Sequence, residues 1–143
     1  MGPKTLSQKL SEIRDNLTLV KDAINPHFKN EYVSLGAVLD GLNPLLLEHG
    51  LRLSQSPQII DGIPCIETKF QDLETGEYEC GQWPLTISPD PQKVASSSSY
   101  ARRYSLLCCF ALIADDDDAE AANGRGSGRS VPRGVKAALN RVK

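Results

Sequence analysis

The sequence lacks long apolar segments and has few residues of the kinds that usually carry catalysis. No apolar run approaches the roughly 18 residues that a membrane-spanning helix needs, and the first 17 residues lack the apolar stretch of a secretory signal. We therefore expect a cytoplasmic protein with no membrane partner. Only two of the 143 residues are histidines, and no nucleophile elbow, HExxH segment or glycine-rich phosphate loop accompanies them. These absences disfavour an enzyme.

Cysteine is also scarce, and charge is unevenly distributed. The four cysteines form no CxxC pair, and without an export signal we expect all of them to be reduced. The formal net charge of −2 is not typical of a nucleic-acid-binding surface. However, residues 115–120 hold five acids, whereas residues 123–143 hold six bases and no acid. We predict one domain over residues 1–120 and a disordered basic tail over 121–143, either a solvated linker or a phosphate-binding extension.

Apolar periodicity predicts two helices in the first third of the chain. Residues 5–24 place apolar side chains three and four positions apart, and the Asn25-Pro26 step ends this helix. A second helix begins at Val33 or Ser34, and Pro44 kinks it or splits it in two.

From Leu51 the apolar spacing changes from helical to alternating. Three strands of an antiparallel meander are predicted, at residues 51–60, 63–73 and 77–87. The better core face of the middle strand consists of Pro64, Ile66, Thr68, Phe70 and Asp72. Residues 92–113 are long and apolar enough for a final helix. The fold class is therefore α+β: two N-terminal helices, a three-stranded meander, and a long helix packed on the sheet.

The final helix has two distinct faces when it is drawn at 100° per residue. The face suited to close packing carries mostly small side chains: Val94, Ser98, Ala101, Ser105, Cys108 and Leu112. Roughly opposite is a polar stripe whose donors suit phosphate oxygens: Gln92, Ser96, Ser99 and Arg103. Arg102 points about 100° away from Arg103, so we expect Arg103 to be exposed and Arg102 to be a buried or snorkelling partner of a carboxylate.

Two tyrosines flank the polar stripe, and two interpretations of this helix remain open. Tyr100 and Tyr104 are placed to stack on nucleic-acid bases. The alternative is a core helix whose polar residues are solvent-exposed and bind no ligand.

The aspartates that follow this helix also allow two interpretations. Clustered carboxylates suit magnesium, which makes Asp115, Asp116 and Asp118 weak candidates for ligands. Consecutive aspartates at a helix end point in different directions, which favours a solvated terminus instead. Negative charge also opposes the negative end of the helix dipole, so either the helix stops before Asp115 or a cation or arginine compensates. No other cofactor is indicated.

Two segments, which follow each other in a fixed order along the chain, carry a family resemblance. They are FKNEYVSLGAVLDGLNPLLLEHGLRL, residues 28–53, and QKVASSSSYARRYSLLCCFALIADDDDA, residues 92–119. They resemble the hallmark segments of the ERF (essential recombination function) family of phage and prophage single-strand annealing proteins. The first family pattern is roughly F-K-x-x-Y-x-x-L-x-x-V-L, then P-L-L-x-x-H-G-L; the second contains Y-A-R-R-Y-x-L, an apolar run and an acidic end. The chain departs from the pattern at residues 96–99, where four serines replace a Gly-Ser-Ala start.

The resemblance covers about residues 5–120 and implies a function. It implies a DNA-recombination protein that binds single-stranded DNA and anneals complementary strands without ATP. It also implies a homo-oligomer, as a ring or filament, with a fold similar to the Rad-type annealing domain. The alternative is a non-annealing interaction or regulatory module for replication or recombination proteins on the same fold. A metal-dependent nuclease built on the aspartates is a third hypothesis.

The resemblance and the helix geometry together nominate the DNA contacts. Motif positions carry over Arg103, Lys29, Tyr32, Tyr104 and Arg102. The polar stripe and its neighbours add Tyr100, Gln92, Ser96, Ser99 and Lys93.

Overall fold

The computed structural model describes residues 2–112. In chain order the elements are helix α1 (Leu6–Asn16), strands β1 (Ala23–Ile24) and β2 (Glu31–Tyr32), helix α2 (Leu35–Glu48), strands β3 (Leu51–Ile60), β4 (Ile63–Asp72) and β5 (Tyr78–Pro84), and helix α3 (Pro91–Cys109). The last three strands form an antiparallel meander, and the first two form a separate antiparallel ribbon. The predicted α+β class is confirmed. Within residues 2–112, no helix is long and apolar enough to cross a membrane.

Helix α1 is well capped at its start but shorter than predicted. The Thr5 hydroxyl accepts a hydrogen bond from the Gln8 backbone N–H (3.2 Å), and the Gln8 side chain accepts one from the Thr5 backbone N–H (2.9 Å). The helix ends at Asn16, so the prediction of one helix over residues 5–24 is wrong. Residues 17–24 are not helical, and their last two residues form β1.

The Asn25-Pro26 step opens a turn between strands instead of ending a helix. The Asn25 side chain accepts hydrogen bonds from the backbone N–H groups of His27 (2.9 Å) and Phe28 (3.3 Å). Lys29 takes a left-handed conformation, with φ of 53°. This turn joins β1 to β2, and the ribbon it forms was not predicted.

Helix α2 begins where the sequence predicts. The Ser34 hydroxyl accepts from the Ala37 N–H (3.1 Å), and the Asp22 carboxylate accepts from the Ser34 hydroxyl (2.6 Å) and N–H (2.8 Å). The bond from the Ser34 hydroxyl is the main reason that the pKa of Asp22 is lowered. Pro44 lies inside the helix and does not split it.

The three-stranded meander closely matches the prediction. β3 and β4 pair over ten residues, from Leu51 opposite Asp72 to Ile60 opposite Ile63. The turn between them, Asp61-Gly62, has positive φ at both residues, as a tight hairpin requires. The predicted core face of β4 is confirmed at Ile66, Thr68, Phe70 and Asp72, which are all buried.

The helices close one core against this sheet. α3 packs on β4 and β5, α2 on β3 and α3, and α1 on α2. The Phe70 and Phe110 rings meet edge to face with their centroids 5.5 Å apart. The Arg14 Nε of α1 donates to the Phe110 carbonyl (2.8 Å), which ties the first helix to the end of the last.

Candidate nucleic-acid interface

The two segments that carry the family resemblance meet at Arg103. Its guanidinium carbon lies 5.1 Å from the centre of the Tyr32 ring and 4.5 Å from the centre of the Tyr104 ring. Its Nη1 lies 3.5 Å from the Val33 carbonyl oxygen. Both ring distances are within the range of cation–π contact. β2 supplies Tyr32 and α3 supplies the other two, so residues remote in sequence form one cluster.

The prediction that Arg103 is exposed is wrong, because only 7% of the residue is accessible. The two arginines do point to different sides of α3, as the helical step of 100° per residue predicts. However, the ribbon β1–β2 was not predicted, and β2 brings Tyr32 against the Arg103 guanidinium.

Two further rings extend this cluster toward solvent. Tyr104, which is buried, has Tyr100 at a centroid distance of 4.2 Å and Trp83 at 6.0 Å. Tyr100 is 51% exposed, so it is the end of the cluster that a ligand can reach. Trp83 was missed in the sequence, although its position in β5 opposite Ile66 places it on the core face of the sheet. Tyr32, Trp83, Tyr100, Arg103 and Tyr104 are called the aromatic–arginine cluster below.

The exposed side of α3 carries polar side chains around the Tyr100 ring. As predicted, it contains the exposed residues of the stripe and their neighbours: Gln92, Lys93, Ser96, Ser99 and Tyr100. We call this set the outer face of α3. The Asp90 side chain caps the helix by accepting from the Gln92 N–H (3.0 Å), and Ser97 Oγ accepts from the Thr86 N–H (2.8 Å). These bonds fix the start of α3 relative to the chain that leaves β5.

Arg102 lies on a different side of α3. Its Nε donates to the Gln55 side-chain oxygen (3.2 Å), and Gln55 Nε2 donates to the Arg102 carbonyl (3.0 Å) and to Thr68 Oγ1 (3.0 Å). The predicted carboxylate partner is therefore wrong: within the described part of the chain its side chain bonds an amide. Arg102 is half-buried and, with Gln55, lines two cavities of about 670 and 370 Å³.

The remaining predicted site residues are Lys29 and three aspartates. Lys29 is exposed in the turn of the ribbon. Asp115, Asp116 and Asp118 lie outside the described residues, so the magnesium hypothesis stays a prediction. Within residues 2–112, no group of three His, Cys, Asp or Glu side chains could hold a metal ion. The four cysteines are free thiols.

Comparison with known families agrees with these motifs. The ERF superfamily matches residues 6–136, a range that contains both motif segments and continues past residue 120, where the resemblance in the sequence ended. No curated protein and no solved structure matches the chain. The match spans most of the 143 residues, and the chain belongs to the ERF superfamily, whose members serve generally in phage recombination by single-strand annealing and are not catalytic enzymes.

Proposed function

We propose that this protein binds single-stranded DNA and anneals complementary strands without ATP. The observation that carries the proposal is the aromatic–arginine cluster. Tyr32 and Tyr104, which match aromatic positions of the family pattern, both contact the Arg103 guanidinium. The cluster ends in the exposed ring of Tyr100, beside a helix face that carries donors and a cation.

The outer face of α3 has the chemistry that a single strand requires. The Lys93 ammonium suits a phosphate, and the hydroxyls of Ser96 and Ser99 donate to phosphate oxygens. The Tyr100 ring offers a surface on which a base can stack, a contact worth about 1–3 kcal/mol per base. Stacking and phosphate contacts leave the pairing edges of the bases open, so a bound strand can still recognise its complement.

Arg103 supports this surface from behind. Its guanidinium lies against Tyr32 and Tyr104, and the ring of Tyr104 lies against that of Tyr100. We therefore assign Arg103, Tyr32 and Tyr104 to positioning, and Tyr100 to direct contact. Lys29, exposed in the turn that precedes β2, is a second candidate for a phosphate contact.

Arg102 and the assembly of several copies complete the proposal. Arg102 bonds Gln55 on another side of α3, so we leave it out of the DNA surface. The outer face of α3 contains one cation, Lys93, and a single phosphate contact gives weak, salt-sensitive binding. We therefore propose that several copies bind one strand together, as a ring or filament, because linked sites raise the overall affinity.

Two measurements on the wild-type protein test this function. Fluorescence anisotropy with labelled single strands of increasing length, at ~100 mM salt, should show affinity that rises with length. Complementary strands mixed with the protein and no ATP should anneal faster than the strands alone. An interaction module that does not anneal would show neither length-dependent binding nor faster annealing, and that pair of results would refute the proposal.

A further inference from the structure

The tip of the β3–β4 hairpin is apolar and exposed. Ile59 is 77% exposed, Ile63 is 53% exposed and Ile60 is 41% exposed. The strand register places Ile59 opposite Pro64 and Ile60 opposite Ile63, so apolar side chains lie on both faces of the hairpin. Asp61 and Gly62 form the apex, and Asp61 is exposed. Residues 59–63 are called the hairpin tip; they present one carboxylate between isoleucines.

A second surface carries the opposite charge, that of Arg102. The larger cavity beside it is walled by Pro57, Ile66, Leu85 and Val94, among others. A smaller cavity, which Arg102 also lines, is walled by five leucines and by two amides: Leu39, Leu46, Leu47, Leu51, Leu53, Asn43 and Gln55. Within residues 2–112, Arg102 is the one charged residue that lines either cavity, and no carboxylate there forms an ion pair with it. We call Arg102 and these two hollows, the larger apolar and the smaller of mixed polarity, the Arg102 saddle.

The hairpin tip of one molecule cannot reach its own Arg102. Arg102 is bonded to Gln55, which lies five positions before Ile60 on the same strand. At about 3.3 Å per residue, the tip is roughly 16 Å away along β3. The strand pairing continues without interruption to Ile60 and Ile63, so the hairpin does not fold back. A contact between the tip and Arg102 therefore joins separate copies of the chain.

We infer that the hairpin tip of one copy docks on the Arg102 saddle of a second copy. Asp61 of the first pairs with Arg102 of the second, and the isoleucines on the two faces of the hairpin enter the two hollows. The surfaces are complementary in charge, since the tip offers a carboxylate and the saddle an arginine whose bonded partner is an amide. Contact also removes large exposed isoleucines from water.

This contact is head to tail, because the tip and the saddle are different surfaces. Such contacts repeat from copy to copy and produce rings or open helical filaments instead of a two-fold dimer. The α3 residues at the saddle, among them Val94, Ser98 and Arg102, are spaced four apart and face away from the outer face of α3. The inference deepens the proposed function, since it names how copies assemble while their DNA surfaces stay open.

Charge reversal tests the pairing directly, in the absence of DNA. We would measure the mass distribution of the full chain by light scattering over a range of concentrations. Asp61→Arg and Arg102→Asp should each weaken self-association by at least about tenfold, since each places like charges opposite each other. An equimolar mixture of the two variants should assemble again, because each tip then meets a saddle of opposite charge. The double variant Asp61→Arg/Arg102→Asp should assemble alone for the same reason.

Controls separate this test from folding and from DNA binding. Asp15→Arg makes the same charge reversal at an exposed position of α1 and should leave the mass unchanged. Ile59→Ser alters only an exposed side chain of the tip and should weaken association without lowering the melting temperature. Tyr100→Ala should reduce DNA binding and leave the mass unchanged. A monomeric wild type, or folded single variants that associate normally, would overturn the inference whatever the DNA assays show. So would failure of the mixture and the double variant to reassemble.

Discussion

Arg103 of α3 lies against the ring of Tyr32 of β2, with the guanidinium carbon 5.1 Å from the ring centre. The contact joins residues 71 positions apart in the chain and connects the two segments that resemble the ERF pattern. Arg103 also contacts Tyr104, so residues from both segments pack in one cluster. The arginine that the helix geometry predicted to be exposed is therefore buried against two aromatic rings.

The first prediction concerns the stability contributed by this arginine. Arg103→Ala should reduce the free energy of unfolding by about 2 kcal/mol, the magnitude of a desolvated cation–π contact. Arg103→Lys should recover part of that loss, since it keeps the charge but not the planar group. Urea unfolding curves would measure both variants. An unchanged midpoint for Arg103→Ala would show that the cluster does not stabilise the fold.

A second prediction separates exposed from supporting rings. Tyr100→Ala should weaken oligonucleotide binding by about 1–3 kcal/mol per stacked base, whereas Tyr100→Phe should retain most of the affinity because it keeps the ring. Tyr78→Ala is the matched control: Tyr78 is 56% exposed, but its ring lies by Lys69 on the other face of the sheet. Anisotropy titrations would measure all three. Equal losses for Tyr100→Ala and Tyr78→Ala would contradict the assignment.

The third prediction uses the salt dependence of binding. Removing one phosphate-binding cation should lower the slope of log K against log salt by about 0.7 for a single strand. Lys93→Gln should therefore reduce the slope by about that amount per bound copy. Arg52→Gln removes one positive charge from an exposed position of β3 and should leave the slope unchanged. Identical slopes for Lys93→Gln and wild type would place the phosphate-binding cation elsewhere.

Acid stability should depend on Asp72, which joins α1 to the turn after β4. Its carboxylate accepts from Lys9 Nζ (2.8 Å) and from the Glu74 N–H (2.9 Å), and the Lys9 bond is the main cause that lowers its pKa. A lowered pKa stabilises the fold above the pKa of the unfolded chain, and this contribution is lost as pH falls through the folded-state pKa. The wild type should therefore lose stability progressively below about pH 5.

The test of this linkage is the melting temperature from pH 7 to pH 3. Asp72→Asn should be less stable than wild type at pH 7 and should lose less on acidification. Its slope should not vanish, because hydrogen bonds also lower the pKa values of Glu12 and Asp22. Parallel curves for the variant and the wild type would show that Asp72 does not contribute to the acid response.

Gly41 should tolerate no side chain. A Cβ at this position of α2 would lie 2.9 Å from the Thr18 carbonyl oxygen and 3.1 Å from the Leu19 side chain. Alanine normally favours a helix over glycine by about 1 kcal/mol, but here the backbone would have to move. We expect Gly41→Ala to lower the melting temperature, whereas Gly36→Ala, whose nearest neighbour lies at 3.7 Å, should not. A more stable Gly41→Ala variant would contradict the close approach.

Much of the fold could be predicted because most of its elements are long enough to show a regular spacing of apolar residues. The ten-residue strands β3 and β4 carry a clear alternation, and α3 is long enough to be recognised as a helix. Its predicted packing face is only partly right, because Ala101 and Ser105 are buried whereas Cys108 is exposed. The ribbon β1–β2 could not be predicted, since two-residue strands contain too few positions to alternate. Residues 17–24 continue the apolar spacing of α1 by coincidence: Leu17 and Leu19 are buried two positions apart outside the helix, while Val20 and Ile24 are exposed.

The candidate site was predicted only in part for the same reason. Helical angles correctly separated Arg102 from Arg103, but an angle does not tell which other element covers each side. The missed ribbon covers Arg103 with Tyr32, and Gln55 of β3 receives Arg102. Long-range pairing therefore buries Arg103 against expectation and gives the half-buried Arg102 an amide partner, while the exposed positions Gln92, Ser96 and Ser99 needed only the helix itself.

The most direct test of the central claim is the rate of annealing of two complementary labelled strands, followed by energy transfer without ATP. The wild type should accelerate annealing, and the double variant Lys93→Gln/Tyr100→Ala should lose most of the acceleration. The matched double variant Arg52→Gln/Tyr78→Ala, altered on other exposed positions, should anneal as fast as wild type. Equal rates for the two double variants, or no acceleration by the wild type, would contradict the assignment of strand annealing to the outer face of α3.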